Sequence, residues 1–244
     1  VDSYEWKDGR PFDWDEVIPG YNANDAVKAK TFRAKMNSAK TKVESYPETK
    51  DQLIAMYAER DPRMDYSIIL PYTMYKGWYA NKPMDSEYVV AAGGVNDGHG
   101  YIRVNGNYET YLWRKFVAEY NMDGGINNRA DTPINFPLIR YADVLLMLAE
   151  CYNEMNDQTG AVKLINEVRA RPSVNMPGIN SGPEWLKATT KEEVFQRIKH
   201  ERAVELAAEG HSFSDMRRWG LVESLNGRKE KDITGKVRYT RAVS

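Results

Sequence analysis

Cysteine is all but missing from this chain: Cys151 is the single copy, which excludes an intrachain disulfide and any thiolate metal cluster. Histidine is nearly as scarce. His99, His200 and His211 are scattered and form neither H-x-x-x-H nor H-E-x-x-H, so no metal and no cofactor are expected. No G-x-S-x-G is present, and a serine hydrolase of the nucleophile-elbow kind drops out. The longest apolar run, residues 144–149, sits between Asp143 and Glu150 and is too short to span a bilayer. Charge of one sign is lacking too. With 34 Lys and Arg against 35 Asp and Glu, the net charge is −1, so neither nucleic acid nor a polybasic membrane contact is expected. A secretory leader is also missing: Val1 opens into a polar, aromatic segment. The expectation is a fragment of a longer protein rather than a complete cytoplasmic one.

What is present is apolar periodicity. From Leu145, the residues Leu148, Ala149, Tyr152, Ala161, Ile165 and Val168 follow at the spacing of a tetratricopeptide-like antiparallel helical hairpin, with small residues where two backbones approach. Pro137 suits a first helical turn, Asn156, Asp157 and Gly160 break the period, and Pro172 stops the second helix. The hairpin is predicted over residues 138–171. Its first helix is apolar nearly all round, so cover on several sides is expected, with Cys151 as a small buried hydrophobe. No second copy of the repeat is evident.

Further along, Thr190 and Glu193 offer a capping box for a helix whose inner face is read as Val194, Ile198, Ala203, Leu206 and Ala207, ending at Gly210. Ser212 and Asp215 are candidate caps for a short helix carrying Phe213, Met216 and Trp219, the last read as core. Residues 1–30 read as loops. A short helix is predicted from Asp51 to Ala58, closed by Asp61-Pro62, and residues 66–72 have strand composition. The architecture expected is mainly α, built on tetratricopeptide-like hairpins with long loops and a few short strands. It is read as one unit with three stretches: a loop-rich, aromatic-rich segment at 1–135, a helical segment at 136–220 and a tail at 221–244.

Chemistry is harder to find. A glycosidase needs only two facing carboxylates, which no motif announces. The most regular acids, Glu201, Glu205 and Glu209, fall four apart on one helix with Arg202 and read as a structural or solvated ladder. The NMDGG run at 121–125 lacks the alternating ligands of a calcium loop and reads as a turn. No catalytic residue is therefore expected. The aromatic stretch remains: Tyr72, Tyr75, Trp78, Tyr79, Tyr88, Tyr101 and Tyr108 are interleaved with Gly77, Asn81, Asn96, Asp97 and Gly98. Flat rings beside amides and carboxylates suit the apolar faces and hydroxyl edges of sugars, although each tyrosine also suits simple packing. Tyr72, Tyr75, Trp78, Tyr79 and Asn81 are the candidate ligand-binding residues, chosen on this local chemistry. Trp78 and Tyr79, in a turn-like segment beside Gly77, lead the set. Trp6, Trp14 and Trp185 follow.

Six pieces in series resemble the SusD/RagB family of Bacteroidetes surface lipoproteins. They are WKDGRPFDWDE near the start, ERDPRMD at 59–65, YLWRKF at 111–116, FPLIRYADVLLMLAE at 136–150, NEVRAR at 166–171 and ERAVELAAEGHSFSDMRRWG at 201–220. The resemblance implies the C-terminal half of a SusD-like α/α superhelix, with the lipid anchor and further hairpins lying outside this chain and covering the apolar helix. It also implies a cell-surface location on the outer membrane, binding of oligosaccharides or polysaccharides, and a SusC-like TonB-dependent β-barrel as partner. Catalysis is not implied. Some relatives handle peptides, so a peptide-binding uptake protein is one alternative and a tetratricopeptide-type interaction scaffold another.

Overall fold

The residues that build the hairpin are those whose apolar side chains recur every three or four positions, and in the computed structural model of the chain they are helical. Residues 1–80, 82–103, 110–120, 133–231, 233 and 237–240 are described. Among them the helices are α1 (Trp14–Val17), α2 (Asp25–Phe32), α3 (Lys50–Ala58), α4 (Arg63–Ser67), α5 (Tyr141–Glu154), α6 (Gln158–Arg169), α7 (Lys191–Glu205) and α8 (His211–Arg218). The strands are β1 (Lys35–Met36), β2 (Val43–Ser45), β3 (Ile68–Ile69), β4 (Met74–Tyr79), β5 (Lys82–Glu87), β6 (Leu112–Trp113), β7 (Lys229–Lys231) and β8 (Val237–Thr240). They pair only as two-stranded antiparallel ribbons, β1 with β2, β3 with β6, β4 with β5 and β7 with β8. The architecture is mainly helical with a few short strands. The NMDGG run and Tyr108 lie outside the described residues.

Two compact units can be distinguished. The first comprises Val1–Asp13, Ala58–Ser67 and Phe136–Gly220; the second comprises Trp14–Tyr57, Ile68–Asn135 and Leu221–Ser244.

In the first unit, α5 and α6 form the hairpin and α7 packs on both. Asp157 caps α6 by accepting from the Gly160 amide at 2.8 Å, and Asn156 takes the left-handed conformation (φ 63°) that the tight connection requires. Ala142, Leu145, Leu146, Ala149, Ala161, Val162, Ile165 and Val168 make a common core with Val194 and Ile198 of α7 and with Ile179, Leu186 and Ala188. Each large side chain fully buried there contributes on the order of 1.5–3 kcal/mol. Thr190 and Glu193 close the capping box that starts α7, and the Glu193 carboxyl, fed by the Thr190 and Thr189 amides, is lowered to about 2.

The first helix of the hairpin starts at Tyr141, not at Leu138, so Leu138 (82 % exposed) and Ile139 (68 % exposed) stand outside it. Since α6 and α7 both pack on the Ala142–Leu146–Ala149 side, Val144, Met147, Leu148 and Cys151 on the other side are exposed. Within this chain Cys151 is exposed, and α6 and α7 cover α5 on one side. Of the residues read as the inner face of α7, Ala203 is exposed, and Val204 is buried in its place. The periodicity was obscured because buried positions of α7 are also charged: Glu201, Arg202 and Glu205 all point inward. Ser212 makes no cap, for α8 begins after Gly210 without a side-chain cap, and Trp219 is half-buried with its Nε1 donating to Glu150. Residues 1–30 contain α1 and α2 rather than loops alone, and of 66–72 only Ile68 and Ile69 are strand.

The charges inside the first unit pair with one another. Arg63 bonds Asp61, Glu201 and Glu205. Arg169 bridges Glu5 at 2.8 Å and Glu201 at 3.0 Å, and Arg202 bridges Asp143 at 2.8 Å and Asp215 at 2.7 Å. Arg140 ties Glu205 to Glu209, while Arg171 adds a further contact to Glu205. Burial pushes the Glu201 carboxyl up, but Arg63 and Arg169 outweigh it and hold it below its ordinary value. Buried charges of this kind are tolerated only when every one is matched.

Candidate functional site

The aromatic residues of the second unit divide into a packed set and a displayed set. Trp14 and Tyr21 stack at 4.4 Å, and Phe32 meets both rings edge-on at 5.6 and 6.1 Å. Tyr72 belongs with these. It is 4 % exposed, its hydroxyl donates to the Phe32 carbonyl, and its ring meets Tyr46 edge-on at 5.8 Å. Its φ of 67° is a left-handed conformation that costs free energy for a bulky residue, so these contacts hold it. Burial and the nearby Glu87 raise its phenol well above the ordinary value. Tyr72 packs the unit and presents almost no surface to solvent. Trp14 is likewise buried.

The displayed set stands on the β4–β5 ribbon. Trp78 and Tyr79 lie in a strand rather than a turn-like segment: Trp78 faces Pro83 and Tyr79 faces Lys82 across the ladder. The chain reverses after Ala80 (φ 49°); Asn81, the fifth candidate, lies outside the described residues. Gly77 sits inside the strand because a Cβ there would come within 3.0 Å of the Met84 carbonyl oxygen. Alternation along the strand puts Tyr75, Gly77 and Tyr79 on one face and Met74, Lys76 and Trp78 on the other. The candidates thus do not form one surface.

On the first face, Tyr75 is half-buried and its hydroxyl donates to the Ala118 carbonyl at 2.7 Å. Burial, with Glu119 nearby, pushes its phenol up to about 12. Tyr79 is 37 % exposed. Its ring lies so close to Gly98 (φ +81°) that a Cβ on that glycine would be 2.9 Å from the ring and hydroxyl atoms. Composition places Gly98 only in an interleaved run; the fold brings it against Tyr79. On the other face Trp78 is half-buried, and its Nε1 is buried without a hydrogen-bond partner. Lys76 lies 5.7 Å from the centre of the Tyr120 ring, whose hydroxyl donates to Asp85. The ribbon therefore offers an aromatic ring backed by a glycine loop, with neutral phenols and a carboxylate along its flanks. That chemistry suits stacking on, and hydrogen bonding to, a polyhydroxylated ligand. Among the described residues, no group of three or more His, Cys, Asp or Glu side chains is arranged to hold a metal ion, and no helix is long and apolar enough to cross a membrane.

The sequence model of the SusD family matches residues 1–243. The chain belongs to the SusD family. Two SusD-like proteins of Formosa agariphila, P38 and P25, are 38 % identical over 95 residues and 36 % identical over 104 residues, which is 38 % and 42 % of this chain but 18 % and 19 % of theirs. A solved SusD-like carbohydrate binding protein from Bacteroides fragilis superposes with a TM-score of 0.58 at 26 % identity, covering 93 % of this chain and 36 % of that one. A second SusD-like structure from the same organism gives 0.55 at 21 % identity over 90 % of this chain and 35 % of its own length; at that identity the likeness concerns the fold. The chain thus spans well under half the length of these relatives.

Proposed function

We propose that the protein is a non-catalytic glycan-binding component of a cell-surface uptake system, which takes up an oligosaccharide or polysaccharide and passes it to a TonB-dependent β-barrel transporter in the outer membrane. Membership of the SusD family supports this, as does the likeness to a relative described as carbohydrate binding. The observation that carries it to particular residues is the exposed Tyr79 ring lying against Gly98 on the β4–β5 ribbon. A flat ring with its back supported loses little freedom on stacking against a sugar. Tyr75 and Trp78 flank it on the two faces of the strand, and Asn81 follows it in sequence.

A glycan-array screen of the protein tests the reading. Retention of one related set of oligosaccharides, with no reducing ends released on prolonged incubation, is the expected result. A chain that retains no glycan but captures peptides contradicts it.

A further inference from the structure

Residues 28–42 carry Lys28, Lys30, Arg33, Lys35, Lys40 and Lys42 without a single Asp or Glu, in a chain whose net charge is −1. The structure folds three of these cations around one hollow. A cavity of about 490 Å³ in the second unit is lined by Arg33, Lys35 and Lys40 together with Asn37, Ser38 and Ser45, and no acidic residue lines it.

This hollow is braced rather than a chance gap between surface lysines. One wall is the β1–β2 ribbon, whose connecting loop is tied by Asn37 accepting from the Thr41 and Lys42 amides at 2.8 and 3.1 Å. The other is the segment around Ala92, locked to the ribbon at several points. Ala34 donates to the Val90 carbonyl at 2.9 Å, the Asn96 amide donates to the Lys40 carbonyl at 2.9 Å, and Lys40 Nζ donates to the Gly93 carbonyl at 2.7 Å. Gly93 permits that approach, since a Cβ there would lie 2.9 Å from Lys40 Nζ. Lys35 pairs with Glu44 at 3.0 Å, but both side chains are largely solvent-exposed, and such a pair yields readily to a better partner. A concave wall of one sign concentrates field on whatever enters it.

We propose that this cavity is a subsite for an anionic substituent of the glycan, a carboxylate or a sulfate group, held by Arg33 and Lys35 with hydroxyl donors from Ser38 and Ser45. The inference rests on the glycan-binding reading and narrows it to acidic polysaccharides. Guanidinium and ammonium groups recognise either anion through charge-assisted hydrogen bonds, so the polymers used must tell the two apart.

Affinity gel electrophoresis with dextran, dextran sulfate and polygalacturonate does so, comparing the unaltered protein with Arg33→Gln/Lys35→Gln. Both positions are exposed, so the double variant keeps its fold; a melt on the same sample verifies this. A second double variant, Lys30→Gln/Lys163→Gln, removes the same charge at exposed positions outside the cavity. The expected result is retardation by dextran sulfate, by polygalacturonate or by both, in preference to dextran. Retention should weaken roughly tenfold in Arg33→Gln/Lys35→Gln and much less in Lys30→Gln/Lys163→Gln. Equal weakening in the two variants would mean that only net charge matters, and would overturn the inference, as would the absence of retardation by either anionic polymer. Glycans retained on the array by the unaltered protein and by Arg33→Gln/Lys35→Gln alike would leave the glycan reading standing and remove this subsite.

Discussion

The two units solve the problem of buried polar groups in opposite ways. In the first, arginine and carboxylate side chains are buried against each other across long stretches of chain, as Arg63 is against Glu201 and Arg169 against Glu5. In the second, three tyrosine hydroxyls donate to backbone carbonyls: Tyr72 to Phe32, Tyr75 to Ala118 and Tyr88 to Thr110. Side-chain pairs demand particular residues at both ends. A carbonyl is supplied by any residue, so the tyrosine contacts constrain only one partner.

The sharpest way to break this comparison is to remove one carboxylate from the network. Glu201→Ala leaves Arg63 and Arg169 buried with a missing counter-charge and is expected to cost about 3–5 kcal/mol, read from denaturant melts. A loss below about 1 kcal/mol would show that the network is not what holds the helices. The pH dependence has a matching sign. The Glu201 carboxyl is held below its ordinary value in the folded protein, so its contribution is fully present above the ordinary carboxylate range. That contribution is lost as pH falls through the lowered folded value. Melting temperature should therefore drop on acidification below about pH 4–5, and Glu201→Gln should be less stable at pH 7 and less sensitive to that drop.

In the second unit, Tyr72→Phe keeps the ring and leaves the Phe32 carbonyl without its donor. The expected cost is about 1–3 kcal/mol, smaller than that of Glu201→Ala, with glycan affinity unchanged because Tyr72 is buried. A melt indistinguishable from the unaltered protein would contradict the packing role given to its hydroxyl.

The same contrast governs what could be read from the sequence. The hairpin was legible because Leu145, Ala149, Ala161, Ile165 and Val168 are apolar at helical spacing and buried together. The capping box of Thr190 and Glu193 was legible because two side chains at fixed spacing announce it. The apolar part of the inner face of α7, Val194 and Ile198, was legible too; its charged part was not, since a buried Glu201 or Glu205 looks like a solvated ladder until Arg63 and Arg169 arrive from far along the chain. Nor was α2, where DAVKAKTF alternates Ala and Lys without an apolar stripe. At the candidate site, composition pointed to the aromatic stretch but could not separate buried Tyr72 from displayed Tyr79. Nothing local distinguishes two tyrosines of which one finds a carbonyl at Phe32 and the other a glycine at position 98.

The division of labour between a charge-locked helical unit and a displayed aromatic ribbon is tested most directly at Tyr79. Titration calorimetry of an array-selected oligosaccharide into the unaltered protein and into Tyr79→Ala, with melts on the same samples, reads both halves of the claim. The account predicts at least roughly tenfold weaker binding at an unchanged melting temperature. Unchanged affinity would contradict it.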